Sequence, residues 1–163
     1  MKIRKAEIRD LDKLLAIYNY EVEHGTATFD LHPKIKQEWE KWFAAHNIKN
    51  YPLLIAEIEK EVAGYASLSA YREKEAYQAT VELSVYVDAL YRGRGVATEL
   101  MKTILWEAKQ DTRTHLVVSV ITAGNEASRR LHEKFGFTFC GMIPEAGLKF
   151  GKYWGIENYS LKV

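Results

Sequence analysis

The sequence predicts an α/β fold with one mixed sheet, and three observations support that prediction. Apolar residues alternate from Val81 to Val87, as in a strand with one buried face. The segment from Val96 to Ala108 repeats its apolar residues at helical spacing. Leu116 to Ile121 is an almost continuous apolar run, typical of a buried parallel strand. A strand, a helix and a buried strand in this order indicate a parallel strand-helix-strand unit.

Turn and cap signals divide the rest of the chain into further elements. Asp10 is placed to cap the first helix, Gly25 to end it, and Pro33 to occupy the first turn of the second. In chain order we predict a strand at Lys2–Lys5, a helix from Asp10 to Gly25, a helix beginning at Pro33, strands at Leu53–Ile58, Val62–Ala70 and Tyr77–Val87, a helix to Gln110, a strand at Leu116–Ile121, a helix from Asn125 to Gly136, and closing strands at Phe137–Met142 and Tyr153–Leu161. The order β-α-α-β-β-β-α-β-α-β-β describes one domain over residues 1–163.

Composition argues against several classes of function. The 163 residues carry 23 basic and 22 acidic side chains, which gives a formal net charge of +1. A charge this small provides no global field for nucleic acid or for a membrane surface. The N-terminus has no apolar signal core, and no stretch approaches the roughly 18 apolar residues of a membrane span. We therefore expect a soluble, cytoplasmic protein that binds neither nucleic acid nor membrane.

The cysteine and histidine content argues against a metal site. Cys140 is the only cysteine, which excludes an intrachain disulfide and a cysteine-based metal cluster. Its context, Phe137-Thr-Phe-Cys-Gly, predicts a small apolar residue in a buried strand. Four of the five histidines are scattered without metal-ligand spacing, so we expect no metal. They are His24, His32, His46 and His115.

The segment after the third long strand is a turn with two glycines and two arginines. Gly93 and Gly95 let the backbone approach a ligand without a Cβ in the way. The amides that follow belong to a helix N-terminus, where backbone donors are unpaired and the helix dipole is positive. Together with Arg92 and Arg94 they suit a phosphate or a pyrophosphate. The turn is not a dinucleotide fingerprint, because Thr98 stands where the third glycine belongs.

A polar stripe is predicted on the helix that follows the buried strand. Asn125, Ser128 and His132 are spaced three and four residues apart, so they share one helix face. The adjacent face is apolar and is expected to build core. This helix therefore offers polar atoms at the edge of the same sheet that carries the glycine turn.

These two motifs together resemble the acetyl-coenzyme A (acetyl-CoA) signature of the Gcn5-related N-acetyltransferases (GNAT). Arg92-x-x-Gly95-x-Ala97 resembles their pyrophosphate loop, and Asn125-x-x-Ser128 resembles part of the second half of the signature. Segments along nearly the whole chain resemble the phosphinothricin and methionine sulfoximine acetyltransferase branch; they include Gly25–Phe29, Gly64–Leu68, Tyr71–Arg72, Thr80–Glu82 and Ala146–Gly151. The resemblance implies a GNAT fold with a splayed central pair of strands, acetyl-CoA as cosubstrate, and a homodimer.

The resemblance also implies roles for individual positions. Glu82 matches the general base proposed for the family, and His132 matches a histidine of this branch. The implied cofactor-binding residues are Val85, Val87, Arg92, Gly93, Arg94, Gly95, Val96, Ala97, Thr98, Asn125 and Ser128. We expect direct acetyl transfer to the α-amino group of a small amino acid or analogue, such as phosphinothricin or methionine sulfoximine.

The chemistry of acetyl transfer suits these residue types. An α-amino group has a pKa of about 9 to 10 and arrives as an ammonium, so a base must remove a proton before attack. Partial burial in an apolar strand would raise the pKa of Glu82 and make it a better base. The amide of Val85 could stabilise the developing oxyanion. His132 could move a proton to the departing thiolate, or it could be a structural histidine.

The acceptor site is predicted from aromatic and cationic residues. Phe29 and Tyr77 are candidates for an apolar wall, and Arg72 for binding a carboxylate or phosphinate. Lys74 stands where close relatives tend to have a second arginine, and Gly155 where they tend to have an aspartate. A lysine is a point charge and lacks the planar fork of arginine, so the recognised anion can differ.

Two further enzyme functions and one non-enzymatic function stay open at this point. The acceptor could be a protein N-terminus or a polyamine, although the cations near the acceptor loop favour an anionic group over a polyamine. A binding module that senses acetyl-CoA without catalysis is the alternative from another class. It would bind the cofactor and acetylate no amine.

Overall fold

The computed structural model describes residues 1–163 and contains the strands and helices in the predicted order. The strands are β1 (Lys2–Lys5), β2 (Leu53–Ile58), β3 (Glu61–Ala70), β4 (Thr80–Val87), β5 (Leu116–Thr122), β6 (Thr138–Lys149) and β7 (Lys152–Lys162). The helices are α1 (Leu11–His24), α2 (Lys36–Ala44), α3 (Val96–Gln110) and α4 (Glu126–Lys134). Short 3-10 turns are present at Ile8–Asp10, Glu75–Tyr77 and Ala89–Tyr91.

A seven-stranded mixed sheet organises the chain in the spatial order β1-β2-β3-β4-β5-β7-β6. Neighbouring strands pair antiparallel except for β4 and β5, which are parallel. That parallel pairing is short and runs only from Thr80 opposite Leu116 to Glu82 opposite Val118. Beyond Glu82 the two strands separate, which confirms the predicted splay and the predicted mixed α/β fold.

Alternation along β3 and β4 gives this half of the sheet two different faces. Towards α3, apolar side chains such as Leu83 and Ile104 form the larger buried core. Towards α1 and α2, the opposite side chains form three cross-strand pairs, namely Tyr65 with Tyr86, Ser67 with Ser84, and Ser69 with Glu82. A smaller apolar cluster around Leu14 and Trp39 covers part of that face. The sheet thus buries an apolar face under α3 and turns polar and aromatic groups towards α1 and α2.

Side-chain hydrogen bonds correct the predicted cap of the first helix and the predicted start of the second. Asp10 precedes α1 but does not cap it, because its carboxylate accepts a hydrogen bond from Arg4 at 2.8 Å. Pro33 lies outside the first turn of α2. The Asn19 side chain makes two hydrogen bonds to the backbone of Lys34 and holds this segment before the helix begins.

Two predicted strands have different lengths in the structure. β4 begins at Thr80 and not at Tyr77, because the preceding residues form a 3-10 turn. β6 extends to Lys149, beyond its predicted end, because it continues to pair with β7 across two irregularities in register. The hairpin between β2 and β3 is confirmed, and positive φ angles at Glu59 and Lys60 form its tight turn.

The edge strand β6 carries an exposed apolar surface. The predicted burial of Cys140 is wrong, since its side chain is exposed on this strand. Large exposed apolar side chains on β6 and at its turn into β7 are Phe139, Met142, Ile143, Leu148, Phe150 and Tyr153. An exposed apolar patch of this kind commonly marks an interaction surface. A strand is buried only where something covers it, and β6 is the last strand of the sheet.

The structure contains no group of three or more His, Cys, Asp or Glu side chains that could hold a metal ion. Its longest helix, α3, has 15 residues. No helix is both long enough and apolar enough to cross a membrane.

Candidate active site

A cavity of about 700 Å³ fills the space between the separating ends of β4 and β5. The N–H of Asp88 donates to Ala63 of β3, so alternation along β4 turns the backbone of Tyr86 towards β3 as well. The N–H and C=O groups of Val85 and Val87 therefore face this groove, where β5 no longer pairs with them. Unpaired backbone donors and acceptors along a strand can hydrogen-bond an extended chain that contains amides.

The turn between β4 and α3 has the backbone of an anion-binding loop. Gly93 and Gly95 have φ angles of 75° and 77°, in the left-handed region that residues with a Cβ rarely adopt. Gly95 occupies the N-cap position of α3, and no side chain caps the helix. The first-turn amides of Val96, Ala97 and Thr98 therefore keep their donors for a ligand.

The two arginines of this turn have different surroundings. The Arg92 guanidinium forms an ion pair with Glu21 of α1, lies 5.7 Å from the ring centroid of Tyr20 and lines the groove. The Arg94 guanidinium lies 5.4 Å from the ring centroid of Tyr91. The turn thus has one cation tethered to α1 and one that stacks on its own loop.

Glu82 lies at the last paired position of β4 and β5, where the groove begins. Burial raises the pKa of the Glu82 carboxyl, and no cation or hydrogen bond opposes that effect. A carboxylate with a raised pKa and no partner in a groove is suited to act as a general base.

The polar stripe of α4 faces the same groove. The Asn125 side chain caps α4 by accepting a hydrogen bond from the Ser128 N–H at 3.1 Å. His132 is only 4% exposed; its Nδ1 lies 2.7 Å from the Ser128 carbonyl oxygen and its Nε2 lies 2.7 Å from the Ser119 Oγ. A carbonyl oxygen only accepts, so Nδ1 carries the proton and Nε2 accepts one from Ser119. Burial lowers the pKa of His132, which keeps the ring neutral.

A second cavity, of about 350 Å³, lies between α1, α2 and the polar face of β3 and β4. Ser84 and Tyr86 line both cavities, so the two meet along β4. The Tyr65 hydroxyl and the Trp39 Nε1 are buried in the wall of the second cavity without a hydrogen-bond partner. Buried donors without a partner are costly, so these two groups are an exception among the buried polar atoms of the fold.

Comparison with known families identifies the family of the chain. The model of the Acetyltransferase (GNAT) family matches residues 14–137. The chain belongs to this family. It is accordingly an acyltransferase, and the resemblance drawn from the glycine turn and the α4 stripe is confirmed.

Full-length relatives of this GNAT chain lie in the phosphinothricin and methionine sulfoximine acetyltransferase branch. This chain is 38% identical over 162 residues to the L-methionine sulfoximine/L-methionine sulfone acetyltransferase of Pseudomonas paraeruginosa. The match covers 99% of this chain and 94% of that protein. This chain is also 36% identical over 162 residues to the phosphinothricin N-acetyltransferase of Streptomyces coelicolor, across 98% and 94% of the two chains. The solved ribosomal-protein-alanine N-acetyltransferase of Brucella melitensis has a TM-score of 0.96 and 35% identity, with 100% of both chains covered.

The structure separates the four acceptor residues that the GNAT resemblance and the sequence suggested. Phe29 lines the groove between β4 and β5. Arg72, Lys74 and Tyr77 lie on the loop between β3 and β4, outside both cavities. The Arg72 guanidinium lies 4.9 Å and 5.5 Å from the ring centroids of Tyr71 and Tyr77. This loop joins the two strands at the same end of the sheet as Glu82.

Sequence reasoning missed the GNAT residues that line the second cavity, although their signal is present. The prediction followed the apolar side of the third long strand. The intervening residues share the opposite face; Glu82 among them was predicted, whereas Ser84 and Tyr86 were missed. Ser67 and Ser69 alternate in the same way on β3. Alternation of polar residues on two successive strands could have indicated a shared polar face.

Proposed function

We propose that this GNAT enzyme transfers acetyl from acetyl-CoA to the α-amino group of a small amino acid or amino-acid analogue, without a covalent enzyme intermediate. The observation that carries the proposal is Glu82, an unpartnered carboxylate at the point where the groove opens and next to the second cavity. The relatives named for methionine sulfoximine, methionine sulfone and phosphinothricin support an amino-acid analogue as acceptor.

The groove and the glycine turn fit acetyl-CoA, which supplies an acetyl group activated as a thioester. Backbone groups of Val85 and Val87 would hold the amide-containing pantetheine arm. The uncapped α3 N-terminus and its positive-φ glycines provide the donor set that a pyrophosphate requires. We assign the pyrophosphate to Arg92, Gly93, Arg94, Gly95, Val96, Ala97 and Thr98, and the thiol end to Asn125 and Ser128.

In the proposed mechanism Glu82 accepts a proton from the ammonium of the acceptor, directly or through a water. The Val85 N–H donates to the carbonyl oxygen as negative charge develops there. The amine nitrogen forms the new C–N bond and the C–S bond breaks. The second proton that the nitrogen must lose passes to the departing thiolate, which leaves as the coenzyme A thiol. Holding both reactants along β4 contributes much of the rate, since well-oriented reactants avoid the entropy cost of meeting.

His132 is proposed to hold Ser119 and α4, and not to touch the acceptor. Both of its ring nitrogens have partners within the protein. A proton from His132 could reach a departing thiolate only through the Ser119 hydroxyl. Its lowered pKa also makes the imidazolium a minor species at neutral pH.

The second cavity is proposed to hold the acceptor side chain. Its polar lining, which includes Ser67 and Ser84, suits a side chain that ends in sulfone, sulfoximine or phosphinate oxygens. Phe29 contributes an apolar wall from the groove side. We further propose that the loop carrying Arg72, Lys74 and Tyr77 supplies cations at the entrance for an anionic group of the acceptor.

We also propose that the protein is a cytoplasmic homodimer and that each chain is a single domain. The proposed interface is the apolar edge strand β6. Exposed apolar residues such as Phe139 and Ile143 support this interface. Sedimentation of the wild type against Phe139→Asp tests it. A dimer that becomes a monomer in the variant supports the interface, and a monomeric wild type rejects it.

The test of the activity is thiol release from acetyl-CoA with a panel of amines. The panel contains phosphinothricin, methionine sulfoximine, methionine sulfone, the common amino acids, spermidine and a peptide with N-terminal alanine. Selective turnover of the amino-acid analogues supports the proposal. The matched control is Glu82→Gln, for which coenzyme A should still raise the melting temperature while turnover falls.

The other outcomes of the panel identify the remaining candidates. Turnover of the alanine peptide alone would assign the acceptor to a protein N-terminus; the Brucella melitensis relative is named a ribosomal-protein-alanine N-acetyltransferase. Turnover of spermidine alone would indicate a polyamine acetyltransferase. Stabilisation by coenzyme A without turnover of any amine would indicate an acceptor outside the panel or a sensor.

A further inference from the structure

His46 is held in one orientation just beyond the end of α2. The residue is 6% exposed, and its ring centroid lies 4.5 Å from that of Trp42. Its Nδ1 lies 2.7 Å from the Trp42 carbonyl oxygen, and its Nε2 lies 2.8 Å from the Ser69 Oγ. The carbonyl only accepts, so Nδ1 carries the ring proton and Nε2 accepts the proton of the Ser69 hydroxyl. Burial lowers the pKa of His46 and keeps this neutral form.

The Ser69 hydroxyl has only one proton, and it donates that proton in the hydrogen bond to His46. Ser69 lines the second cavity, and its partner across β3 and β4 is Glu82. Directly opposite residues place their side chains on the same face, with Cβ atoms about 4.5 to 5.5 Å apart. The hydroxyl across from Glu82 therefore cannot donate to its carboxylate, and the Ser69 oxygen keeps only lone pairs for a ligand.

We propose that His46 is a positioning residue that makes Ser69 a hydrogen-bond acceptor for the ammonium of the acceptor substrate, beside the carboxylate that takes its proton. The inference rests on the proposed role of Glu82 as general base. One ammonium proton passes to Glu82, which becomes a carboxylic acid. A second N–H donates to the Ser69 Oγ and orients the nitrogen, whose freed lone pair attacks the acetyl carbonyl. As the C–S bond breaks, the surplus proton on the nitrogen passes to the departing thiolate.

The same arrangement explains why Glu82 has no partner. A Ser69 hydroxyl turned towards Glu82 would stabilise the carboxylate and lower its pKa. Burial alone accounts for the raised pKa, so none of the other groups around the two cavities opposes it. Those charged and titratable groups are Tyr18, Tyr20, Glu21, His24, Asp30, Lys34, Glu38, Tyr65, Tyr86, Arg92 and His132.

The test removes the acceptor nitrogen at position 46 and keeps an aromatic ring there. In His46→Phe the Ser69 hydroxyl is released and donates to Glu82. We expect the acid limb of the pH profile of kcat/KM to move down by about half to one pH unit, and KM for the amine to rise several-fold. His46→Gln is the conservative variant, because its Oε1 can still accept from Ser69, and its acid limb should stay at the wild-type position.

The role of Ser69 is separated by a double variant. Ser69→Ala alone should raise KM for the amine without moving the acid limb, since the wild-type hydroxyl does not donate to Glu82. His46→Phe combined with Ser69→Ala should lose the shift of the single His46 variant. An acid limb that stays fixed in His46→Phe, or moves equally in the double variant, overturns the inference.

Two spectroscopic measurements keep the inference testable if a variant fails to fold or the proposed function fails. Nitrogen-15 spectra of the wild type should give the Nδ1-protonated tautomer for His46, and an Nε2-protonated ring overturns the inference. Carbon-13 titration of the Glu82 carboxyl, assigned with Glu82→Gln, should give a lower pKa in His46→Phe than in the wild type. Undiminished turnover of Glu82→Gln at every pH would remove the general base, while this titration still reports whether His46 controls Ser69.

Discussion

Two buried histidines, His46 beyond α2 and His132 in the last turn of α4, use the same hydrogen-bond unit in different halves of the sheet. Each lies 2.7 Å by its Nδ1 from a carbonyl oxygen four residues earlier. Each accepts through Nε2 from a strand serine, Ser69 at 2.8 Å and Ser119 at 2.7 Å. Burial lowers the pKa of both rings. Locally, the two sites are equivalent.

The strand neighbour of each serine makes the difference. Ser69 pairs across β3 and β4 with Glu82, at the point where the groove begins. Ser119 pairs across β5 and β7 with Tyr159, whose ring is buried in the core. The histidine-serine unit of His46 therefore orients the Ser69 hydroxyl beside the proposed base. The same unit at His132 connects α4 to the sheet. The surroundings of the serine, and not the histidine itself, decide what the unit does.

The largest expected effect distinguishes Glu82 from His132 as the residue that moves the proton. Glu82→Gln removes the general base and should lower kcat by about 10²- to 10⁴-fold. His132→Gln, which can still accept from Ser119, should lose less than about tenfold, since geometry at Ser119 is retained. Both are measured by thiol release at saturating acetyl-CoA. Equal losses of kcat in the two variants would make His132 part of the proton path and contradict its structural role.

A smaller effect concerns folding stability and compares the histidines directly. Replacing His132 by Ala leaves a cavity and an unpaired Ser119, and should reduce the free energy of unfolding by about 2 to 4 kcal/mol. The same change at His46 should cost less, about 1 to 3 kcal/mol, because Ser69 is partly exposed whereas Ser119 is buried. Urea denaturation of the matched pair measures both values. A larger loss of unfolding free energy at His46 would contradict the assignment of His132 as the residue that holds α4 to the sheet.

The fold was largely predictable because its signals are local. Helical and strand periods extend over whole elements, and the glycines of the α3 turn mark a backbone conformation that other residues avoid. Where the prediction failed, a contact between residues distant in sequence determined the structure. Cys140 looks like a core residue in its own segment, yet its strand is the sheet edge. Pro33 looks like a helix start, yet Asn19 holds the next residue in the preceding segment.

The candidate site was predictable only where its residues form sequence motifs. The glycine turn and the α4 stripe are motifs of consecutive or helically spaced residues, and Glu82 was found within such a segment. His46 and Ser69 are 23 residues apart and are joined by a helix end meeting a strand, which no local spacing encodes. Trp39 packs in the smaller apolar cluster as its residue type predicts, but its unpaired N–H depends on what surrounds it.

A further prediction concerns acid and should affect both histidine sites alike. Burial lowers the folded-state pKa of each ring below the usual value of about 6.5, so the unfolded chain binds more protons as pH falls. The free energy of unfolding should therefore fall as pH drops below about 6.5, through the window down to the lowered pKa values. His46→Gln and His132→Gln should each flatten this part of the curve, as followed by thermal unfolding between pH 5 and 8. A variant whose curve is as steep as the wild type would show that the ring it lost is not held neutral.

The smallest expected effect has the opposite sign and falls on Glu82. Burial raises its folded-state pKa above that of the unfolded chain, so the ionised carboxylate is disfavoured in the fold at pH 7 and above. Glu82→Gln removes this cost and should stabilise the protein at neutral pH, by about 0.5 to 2 kcal/mol at most, and towards the lower figure because the side chain is only half-buried. The gain should shrink only as pH falls through the raised folded-state pKa, and it should vanish below the unfolded-chain value, where the carboxyl is protonated in both states. Thermal unfolding of both proteins at pH 5 and pH 8 measures it, and the same variant gives the kcat loss argued above. A wild type that is less stable than Glu82→Gln at pH 8 is expected if Glu82 is a buried general base. Equal stability of the two proteins at pH 8 would indicate a solvated carboxylate with an ordinary pKa.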